Sequence, residues 1–504
     1  MSPRIASITT VLILLLSACA GAPPALEPAA DLEIPGQWSA LDASASNTTT
    51  LEPTIEVWWQ DFDDPALDRL IHEALEHNRG LRATAAAVDV ALAQARIAGA
   101  DLKPQASFDL NGAKRQQVFV GLPVPGSSGV LQSRSSNYGA NLGISWEADL
   151  WGRLRAGRSA ATRDAVAAQG DRVAARLSLS GQVAKVWFSL VEAERQVALA
   201  AETVDSRRTT LERVENRYAN GLVSPLDVRL ARTNAAQAQS TLEARRRGLD
   251  ATRRQLEVLL GRYPAGSLTT AAELPSPPPP VPVGLPAELV ARRPDLRAAE
   301  ERLQAAGWRV AEARAAFYPR LTLNGSFGSS SDSVDDLLDS DFSVWNIAGG
   351  LLQPIFQGGR LRAAAELAEA SREASLASYA QALLDAFAEV EIALAAEDLL
   401  AAEELALATA VDESKAAATQ AEERYRAGVG DYLTVLESQR QAFNSESGLL
   451  SIRRQRLAQR IDLHLALGGP VPAETSDTST LPLATHDLDT HDPVAEAESS
   501  LESL

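Results

Sequence analysis

The stretch Arg217-Tyr218-Ala219-Asn220-Gly221 returns in the second half of the chain as Arg424-Tyr425-Arg426-Ala427-Gly428. A second stretch, residues 98–108 around Pro104, is repeated around Pro319. Repeats of this kind define the structural unit, so they are sought before any other feature. The two matched stretches lie eight residues closer together in the second copy, which predicts a shorter loop between them. The chain is therefore two copies of one unit.

The segments of the chain follow from the two copies. A proline-rich run, residues 275–282, separates them and is expected to be extended as polyproline II. Residues 473–504 hold eight acids and no Lys or Arg, a composition typical of disorder. We predict a signal peptide at 1–18, a lipidated N-terminal segment at 19–60, a first repeat at 61–262, a linker at 263–285, a second repeat at 286–469 and an acidic disordered tail at 470–504.

Each copy is predicted to contain a long antiparallel helical hairpin. Apolar residues recur every seven positions before and after Gly221, namely Val183, Leu190, Val197, Val204, Leu211 and Tyr218, then Val228, Ala235, Leu242, Leu249 and Leu256. A strict seven-residue repeat is typical of a coiled-coil seam. A helix from about 152 to 219 would be about 100 Å long. Gly221 is expected in a left-handed turn, and Gly170 and Gly181 are interpreted as local bends.

Before each helical hairpin the apolar period changes to two. The even-numbered positions from Tyr138 to Leu150 are apolar and alternate with polar residues or glycine, and the pattern predicts one β-hairpin per repeat. This alternation is equally typical of a membrane barrel wall and of a soluble sheet packed on one face. Four strands cannot close a barrel, and an open edge cannot face lipid. A barrel would need two copies for eight strands or three for twelve, and a conduit favours three or more.

The N-terminus indicates an exported lipoprotein. A short apolar run, residues 11–16, follows Arg4 and is typical of a secretory signal. The tetrad Leu16-Ser17-Ala18-Cys19 resembles a bacterial lipobox, in which Cys19 carries the acyl chains and begins the mature protein. Several acyl chains anchor a protein stably, whereas one binds only marginally. By family analogy, Ala20 after the cysteine favours sorting to the outer membrane.

Composition excludes several classes of protein. The chain has 504 residues and a net charge of −19, which argues against nucleic-acid binding. It has one Cys, so disulfide scaffolds, zinc ribbons and iron–sulfur sites are excluded, and its five His leave little for a metal or acid–base centre. No P-loop, GxSxG or HExxH motif is present. We therefore expect neither an enzyme nor a cofactor or metal, apart from covalent lipid on Cys19.

Several segments, taken together and in order, resemble TolC-type outer-membrane efflux channels, in particular the NodT-like lipoprotein branch that serves resistance-nodulation-division pumps. They are residues 58–67 (WWQDFDDPAL), 147–153 (EADLWGR), 354–360 (PIFQGGR) and the two Arg-Tyr-x-x-Gly motifs. The resemblance covers nearly all of the chain from Cys19 to about Gly469. It implies a mainly α fold with a β-barrel contribution. Three chains would form a twelve-stranded outer-membrane barrel that continues into a periplasmic α-helical tunnel.

The same resemblance implies where the functional residues lie. The turns at Gly221 and Gly428 would be the periplasmic tips, where an adaptor protein docks and the tunnel closes. Residues 222–227 and 429–433 would flank the aperture, with Asp431 near the acidic ring that the family places at the constriction and Tyr432 beside it. A one-residue shift of the alignment would make that placement of Asp431 wrong.

Other interpretations of these residues stay open. Asp227 and Asp431 also fit a helix N-cap after each turn, where carboxylates accept hydrogen bonds from free N–H groups. Arg217 and Arg424 would either pair with acids on a neighbouring hairpin and hold the closed state, or be solvated helix surface. Two aromatic residues after the inner strands, Trp151 and Phe356, are expected to pack at the strand–helix junction or to join a membrane-interface girdle.

Three functions compete at this point. The first is a passive exit duct for small molecules, supplied by an inner-membrane pump and a periplasmic adaptor. The second is a type I secretion outlet, which shares the fold. The third is a structural lipoprotein whose coiled coils span the periplasm. The lipidated start and residues 58–67 favour efflux, with a homotrimer, an adaptor, a pump and outer-membrane lipid as partners and no nucleic acid.

Overall fold

The computed structural model describes residues 37–40, 57–119, 131–270, 273–281, 283–284 and 286–469. Cys19, the predicted signal peptide and the predicted acidic tail lie outside these residues. Each repeat consists of two helices, two strands and two long helices. In the first repeat these are α1 (Pro65–His77), α2 (Arg79–Ala100), β1 (Gln105–Phe119), β2 (Leu131–Ala148), α3 (Arg153–Ala219) and α4 (Pro225–Leu259). In the second they are α5 (Pro286–Arg292), α6 (Pro294–Ala315), β3 (Arg320–Ser331), β4 (Ser343–Leu352), α7 (Arg360–Arg426) and α8 (Tyr432–Ala466).

The two repeats have matching long helices. Helices α2 and α6 both have 22 residues, α3 and α7 both have 67, and α4 and α8 both have 35. The strand pairing shows where the copies differ in length, because Gln105 lies opposite Ser145 in the first repeat and Arg320 lies opposite Leu352 in the second. The predicted loss of eight residues is confirmed, but the predicted shorter loop is wrong. Eleven residues separate the strands in each hairpin, after Phe119 and after Ser331, so the second hairpin is shorter because its strands are shorter.

The four strands form one antiparallel sheet in the order β1-β2-β3-β4. One face is apolar, and a row of Phe108, Leu142, Phe327 and Trp345 runs straight across it. These four side chains are 45–74% exposed in the single chain. The outer edges of β1 and β4 have no partner strand within the described residues, so both β-hairpins are present but the sheet is open.

The long helices confirm the predicted helical hairpins. α3 and α7 have 67 residues each, which corresponds to about 100 Å. A core at mid-length is built by the aromatic segment of residues 58–62, where Trp58, Trp59 and Phe62 are buried against α3 and α8. A Cβ on Gly181 would overlap the Leu465 side chain, and one on Gly170 would lie 3.0 Å from Ala298. These glycines therefore let other helices approach α3 closely, and the predicted local bends stay a prediction.

Of the two aromatic residues predicted to pack at the strand–helix junction, Trp151 does so and Phe356 does not. Trp151 stacks on Tyr318 at 5.1 Å and donates a 2.8 Å hydrogen bond to the Pro319 carbonyl. Phe356 is 88% exposed in the single chain, so its predicted packing at the junction is wrong within this chain. The reason is register. Counted back from the first residue of the following long helix, the position of Phe356 in the first repeat is that of Asp149, a polar residue that caps the start of α3.

The linker between the repeats is held against α8. The Arg460 guanidinium donates to the carbonyls of Pro278 and Pro279 and pairs with Glu397 of α7.

Within the described residues, no helix combines the length and the apolar character needed to cross a membrane.

Candidate functional site at the ends of the helical hairpins

Both long hairpins turn through the same glycine-centred motif. Gly221 has φ +72° and Gly428 has φ +76°, so the predicted left-handed turns are confirmed. In the first turn, the N–H of Leu222 bonds to the Arg217 carbonyl and that of Gly221 to the Tyr218 carbonyl. The second turn repeats both bonds between the equivalent residues. This is the Schellman arrangement, which satisfies the last carbonyls of a helix and needs a residue that tolerates positive φ.

The helix after each turn begins with a polar cap, but the two caps are built differently. Asp431 is the N-cap of α8 and accepts 2.8 Å bonds from the Thr434 N–H and hydroxyl. These bonds hold the pKa of the Asp431 carboxyl below its usual range. In the first repeat Ser224 is the N-cap and Asp227 completes a capping box at the third helical position. The prediction of an N-cap is thus confirmed for Asp431 and wrong for Asp227, because α4 already begins at Pro225.

Arg217 joins the two hairpins. Its Nη1 donates a 3.0 Å hydrogen bond to the Tyr425 carbonyl, and its guanidinium lies 4.8 Å from the centre of the Tyr425 ring. A planar cation over an aromatic face is attracted by the ring quadrupole. One of the two predictions for Arg217 was a contact with a neighbouring hairpin. The structure shows such a contact, but Arg217 binds a carbonyl and an aromatic ring instead of an acid.

The equivalent residues of the second motif are placed differently. Arg424 is exposed, and within the described part of the chain its guanidinium has no hydrogen bond or ion pair. Tyr218, the equivalent of Tyr425, is 47% exposed, whereas Tyr425 is partly buried against Tyr432 at 5.6 Å. For Arg424, the predicted alternative of a solvated helix surface therefore agrees with the structure of the single chain. The two motifs are alike in sequence and unlike in environment.

A buried polar cluster lies behind the turns. Tyr432 is 4% exposed, and burial raises its pKa to about 12. Arg207 is 8% exposed, its Nη1 has no hydrogen-bond partner, and burial lowers its pKa. Glu422 accepts from Gln439 and pairs with Arg426. These groups surround the apolar contacts of Val214, Val228 and Val435, so the hairpin ends are packed and not frayed.

Sequence reasoning missed three residues of this region. The role of Ser224 could have been predicted, because a Ser three residues before an acid is the sequence pattern of a capping box. Arg207 stands three positions after Val204, at the second seam position of the heptad, where a charge is unexpected. Tyr425 lies in the quoted motif, but no local pattern indicates that its partner is Arg217, far away in the chain.

The arrangement offers a surface and no catalytic chemistry. Four aliphatic side chains at the turns, Leu222, Leu226, Val429 and Leu433, are 64–68% exposed. Among the residues that the structure describes, no group of three or more His, Cys, Asp or Glu could hold a metal ion.

An open sheet with one apolar face, continued by two helical hairpins whose first helices are about 100 Å long, is the arrangement expected of an outer-membrane channel subunit. The family model of outer membrane efflux proteins matches residues 70–262 and 285–469. The chain is 35% identical over 467 residues to the pyoverdine export outer membrane protein OpmQ of Pseudomonas putida, covering 92% of this chain and 97% of that one. It is 34% identical to the toluene efflux pump outer membrane protein TtgI of the same species, covering 92% and 98%.

The likeness extends to three dimensions. A crystal structure of a membrane protein from Pseudomonas aeruginosa superposes with a TM-score of 0.79 at 34% identity, covering 89% of this chain and all of that one. The chain belongs to the outer membrane efflux protein family. It is therefore an outer-membrane channel of an efflux system, a non-enzymatic duct that passes through the outer membrane and extends into the periplasm.

Proposed function

We propose that three copies of the chain form one passive exit duct for small organic molecules. A periplasmic adaptor docks on the hairpin ends, and a resistance-nodulation-division pump delivers the molecules. The observation that carries the proposal is the unfinished sheet. Four strands with two unpaired edges cannot stand in lipid, because every backbone N–H and C=O there needs a partner. Three copies supply twelve strands and leave room for a channel.

The helices support the same assembly. Helix α7 packs on α6 and α8 and leaves a row of apolar side chains outside: Leu367, Leu384, Ile392, Leu399 and Leu405, which are 48–72% exposed. An apolar face of this length on a soluble helix is expected to be covered. In the proposed trimer a neighbouring copy covers it, and the helices become the wall of the tunnel.

The hairpin ends suit a docking partner. The exposed aliphatic residues occur in equivalent pairs, Leu222 with Val429 and Leu226 with Leu433, so a trimer would present six similar apolar ends in one ring. Polar caps fix the backbone beneath them. In this proposal residues 222–227 and 429–433 flank the aperture, and Asp431 contributes the charge that lines it.

The N-terminal segment is compatible with a lipid anchor on Cys19. The amides of Ser39 and Ala40 donate 2.7 and 2.8 Å bonds to the Glu391 carboxylate, and Trp38 Nε1 donates to the Gly284 carbonyl. Glu391 lies about 47 Å along α7 from its first residue, at the usual helical rise. The segment from Cys19 to Trp38 can reach about 65 Å when extended. The tether is long enough to connect this site with the membrane.

Two measurements test the proposal. Purified oligomer is inserted into planar bilayers, where a duct conducts and a structural lipoprotein does not. The protein is also recovered from the native envelope under mild cross-linking. Recovery of an adaptor and a resistance-nodulation-division pump is the expected result. Recovery of an ATP-driven exporter instead would favour a type I secretion outlet, and recovery of no inner-membrane partner would contradict the efflux assembly.

A Cys19→Ser variant separates the anchor from the duct. Without the acyl chains the exported chain should lose its membrane attachment before it assembles, whereas an assembled barrel should stay embedded, and mass spectrometry of the wild-type N-terminus should find the lipid. An unmodified Cys19 in the mature protein would contradict the proposed lipid anchor and would not affect the proposal of an exit duct.

A further inference from the structure

We infer that β4 of one copy pairs with β1 of a second copy in the register that places Leu351 opposite Leu110. The inference rests on the proposed assembly and goes beyond it, because it fixes which backbone groups meet at the joint between chains. The partner is a second copy of this chain, and the contact is a continuation of the sheet.

The register follows from the internal duplication. Gln105 pairs with Ser145 in the first β-hairpin as Arg320 pairs with Leu352 in the second, so these two pairs are equivalent. Counted along the strands from them, Ile144 is equivalent to Leu351, and Leu110 is equivalent to Gly325.

One joint between the two repeats is already visible inside the chain. Strands β2 and β3 form it, and Ile144 lies opposite Gly325 there. If each of these residues is replaced by its equivalent in the other repeat, the pair becomes Leu351 and Leu110. The same joint, made between chains, therefore pairs β4 with β1 in this register.

The lengths of the strands agree with this register. It places the ten residues of β4, Ser343–Leu352, opposite residues 109–118. Strand β1 covers Gln105–Phe119, so every β4 residue meets a β1 residue and none overhangs. Both strands are almost entirely exposed in the single chain, β4 at every position and β1 at all but its last. They are also antiparallel in this arrangement, as the alternation within the sheet demands.

The faces agree as well. Leu110 and Leu351 are 71% and 70% exposed, and both lie on the face that carries Phe108, Leu142, Phe327 and Trp345. A slip of one residue would set Leu351 opposite Asp109 or Asn111, whose side chains point to the other face. The register therefore continues the apolar face at Leu351 and Leu110, whereas farther along the strands Ile347 meets Lys114 and Trp345 meets Gln116.

Engineered disulfides test the register in the full-length protein in its membrane. A disulfide forms when the Cα atoms are about 4.4–6.8 Å apart and fails beyond about 7 Å. The Leu110→Cys, Leu351→Cys double variant should shift from monomer to covalent dimer and trimer bands on a non-reducing gel, and reductant should reverse the shift. Each single variant keeps Cys19 and reports any bond to that residue.

Matched pairs on the same face sample the alternatives. Leu351→Cys is combined in turn with Ala106→Cys, Phe108→Cys, Gly112→Cys and Lys114→Cys, and these pairs should stay monomeric on the gel. A stronger ladder from any of them would overturn the register while leaving the proposed trimer standing. Absence of a ladder from every pair, in a protein that a general amine cross-linker also leaves monomeric, would overturn the register and the proposed assembly together.

Discussion

Arg217 lies with its guanidinium 4.8 Å from the ring centre of Tyr425 and donates a 3.0 Å hydrogen bond to the Tyr425 carbonyl. The carbonyl belongs to the last turn of α7, where it also accepts the Gly428 N–H in the glycine turn. One side chain of the first repeat thus satisfies and covers the end of a helix in the second. The contact couples the two hairpins at the end where a partner is proposed to dock.

We expect Arg217→Ala to loosen the hairpin ends selectively. A cation over an exposed ring is worth about 0.5–1 kcal/mol, and the hydrogen bond adds about 1 kcal/mol. A local loss of about 1.4 kcal/mol speeds opening roughly tenfold. Amide hydrogen exchange at residues 420–432 reports this change, while the mid-length core should exchange as before.

The duplicated motif supplies the control for that measurement. Arg424→Ala removes the same side chain from the equivalent position, where the structure shows no side-chain partner among the described residues, so exchange should change by much less. Equal acceleration in both variants would mean that Arg217 acts only as a helix residue and that its bridge to Tyr425 carries no energy.

Local sequence patterns predicted the helices and turns but not the contacts between distant parts of the chain. The heptads and the glycine turns gave the ends of α3 to within one residue, since period and backbone conformation are local properties. The partner of Arg217 could not be predicted, because it depends on which faces of two distant helices meet. The prediction for Phe356 was wrong for a related reason. Phe356 was grouped with Trp151, but its equivalent in the first repeat, counted from the start of the long helix, is Asp149.

Asp431→Asn separates the capping role of this residue from its proposed charge at the aperture. Asn is about as good an N-cap as Asp, so the fold should be retained. The aperture should nevertheless lose cation preference, which the reversal potential across a salt gradient in a planar bilayer measures. Because hydrogen bonds lower the pKa of Asp431, the wild-type preference should persist to a lower pH than an ordinary Asp would allow.

The equivalent position of the first repeat is a useful comparison. Ser224 caps α4 as Asp431 caps α8, but it is uncharged, so Ser224→Asn should leave the reversal potential where it is. An Asp431→Asn channel with unchanged ion preference would assign this carboxylate to helix capping alone.

Gly181→Ala should destabilise the protein although alanine is the better helix former. Its methyl group would overlap the Leu465 side chain, so that side chain must change its conformation or α3 and α8 must move apart. Overpacking of this kind costs about 1–3 kcal/mol. Gly248→Ala in α4 is the matched variant, since nothing lies within 4 Å of its added carbon and the gain in helix propensity is about 0.5–1 kcal/mol. Denaturant unfolding should move in opposite directions for the two variants.

His464 lies in the mid-length core, and its environment disfavours the charged ring. It stacks near Trp58 at 5.6 Å, its Nε2 has no hydrogen-bond partner, and burial together with Arg460 lowers its pKa to about 4. Asp61 lies 3.6 Å away, but burial raises the pKa of that carboxyl, so the pair does not act as a firm ion pair. The folded state therefore holds His464 neutral at a pH where the unfolded chain would protonate it.

Stability should fall on mild acidification because the unfolded state gains that proton first. With an unfolded pKa near 6.5, the loss begins below about pH 6.5 and reaches about 2 kcal/mol per chain at pH 5. Asp61 acts in the opposite direction, because its raised pKa lets the folded state take up a proton before the unfolded chain does, so it offsets part of this loss. His464→Phe keeps a ring against Trp58 and should flatten the dependence of the unfolding free energy on pH. A His464→Phe protein that loses stability as steeply as the wild type would place the acid sensitivity elsewhere in the chain.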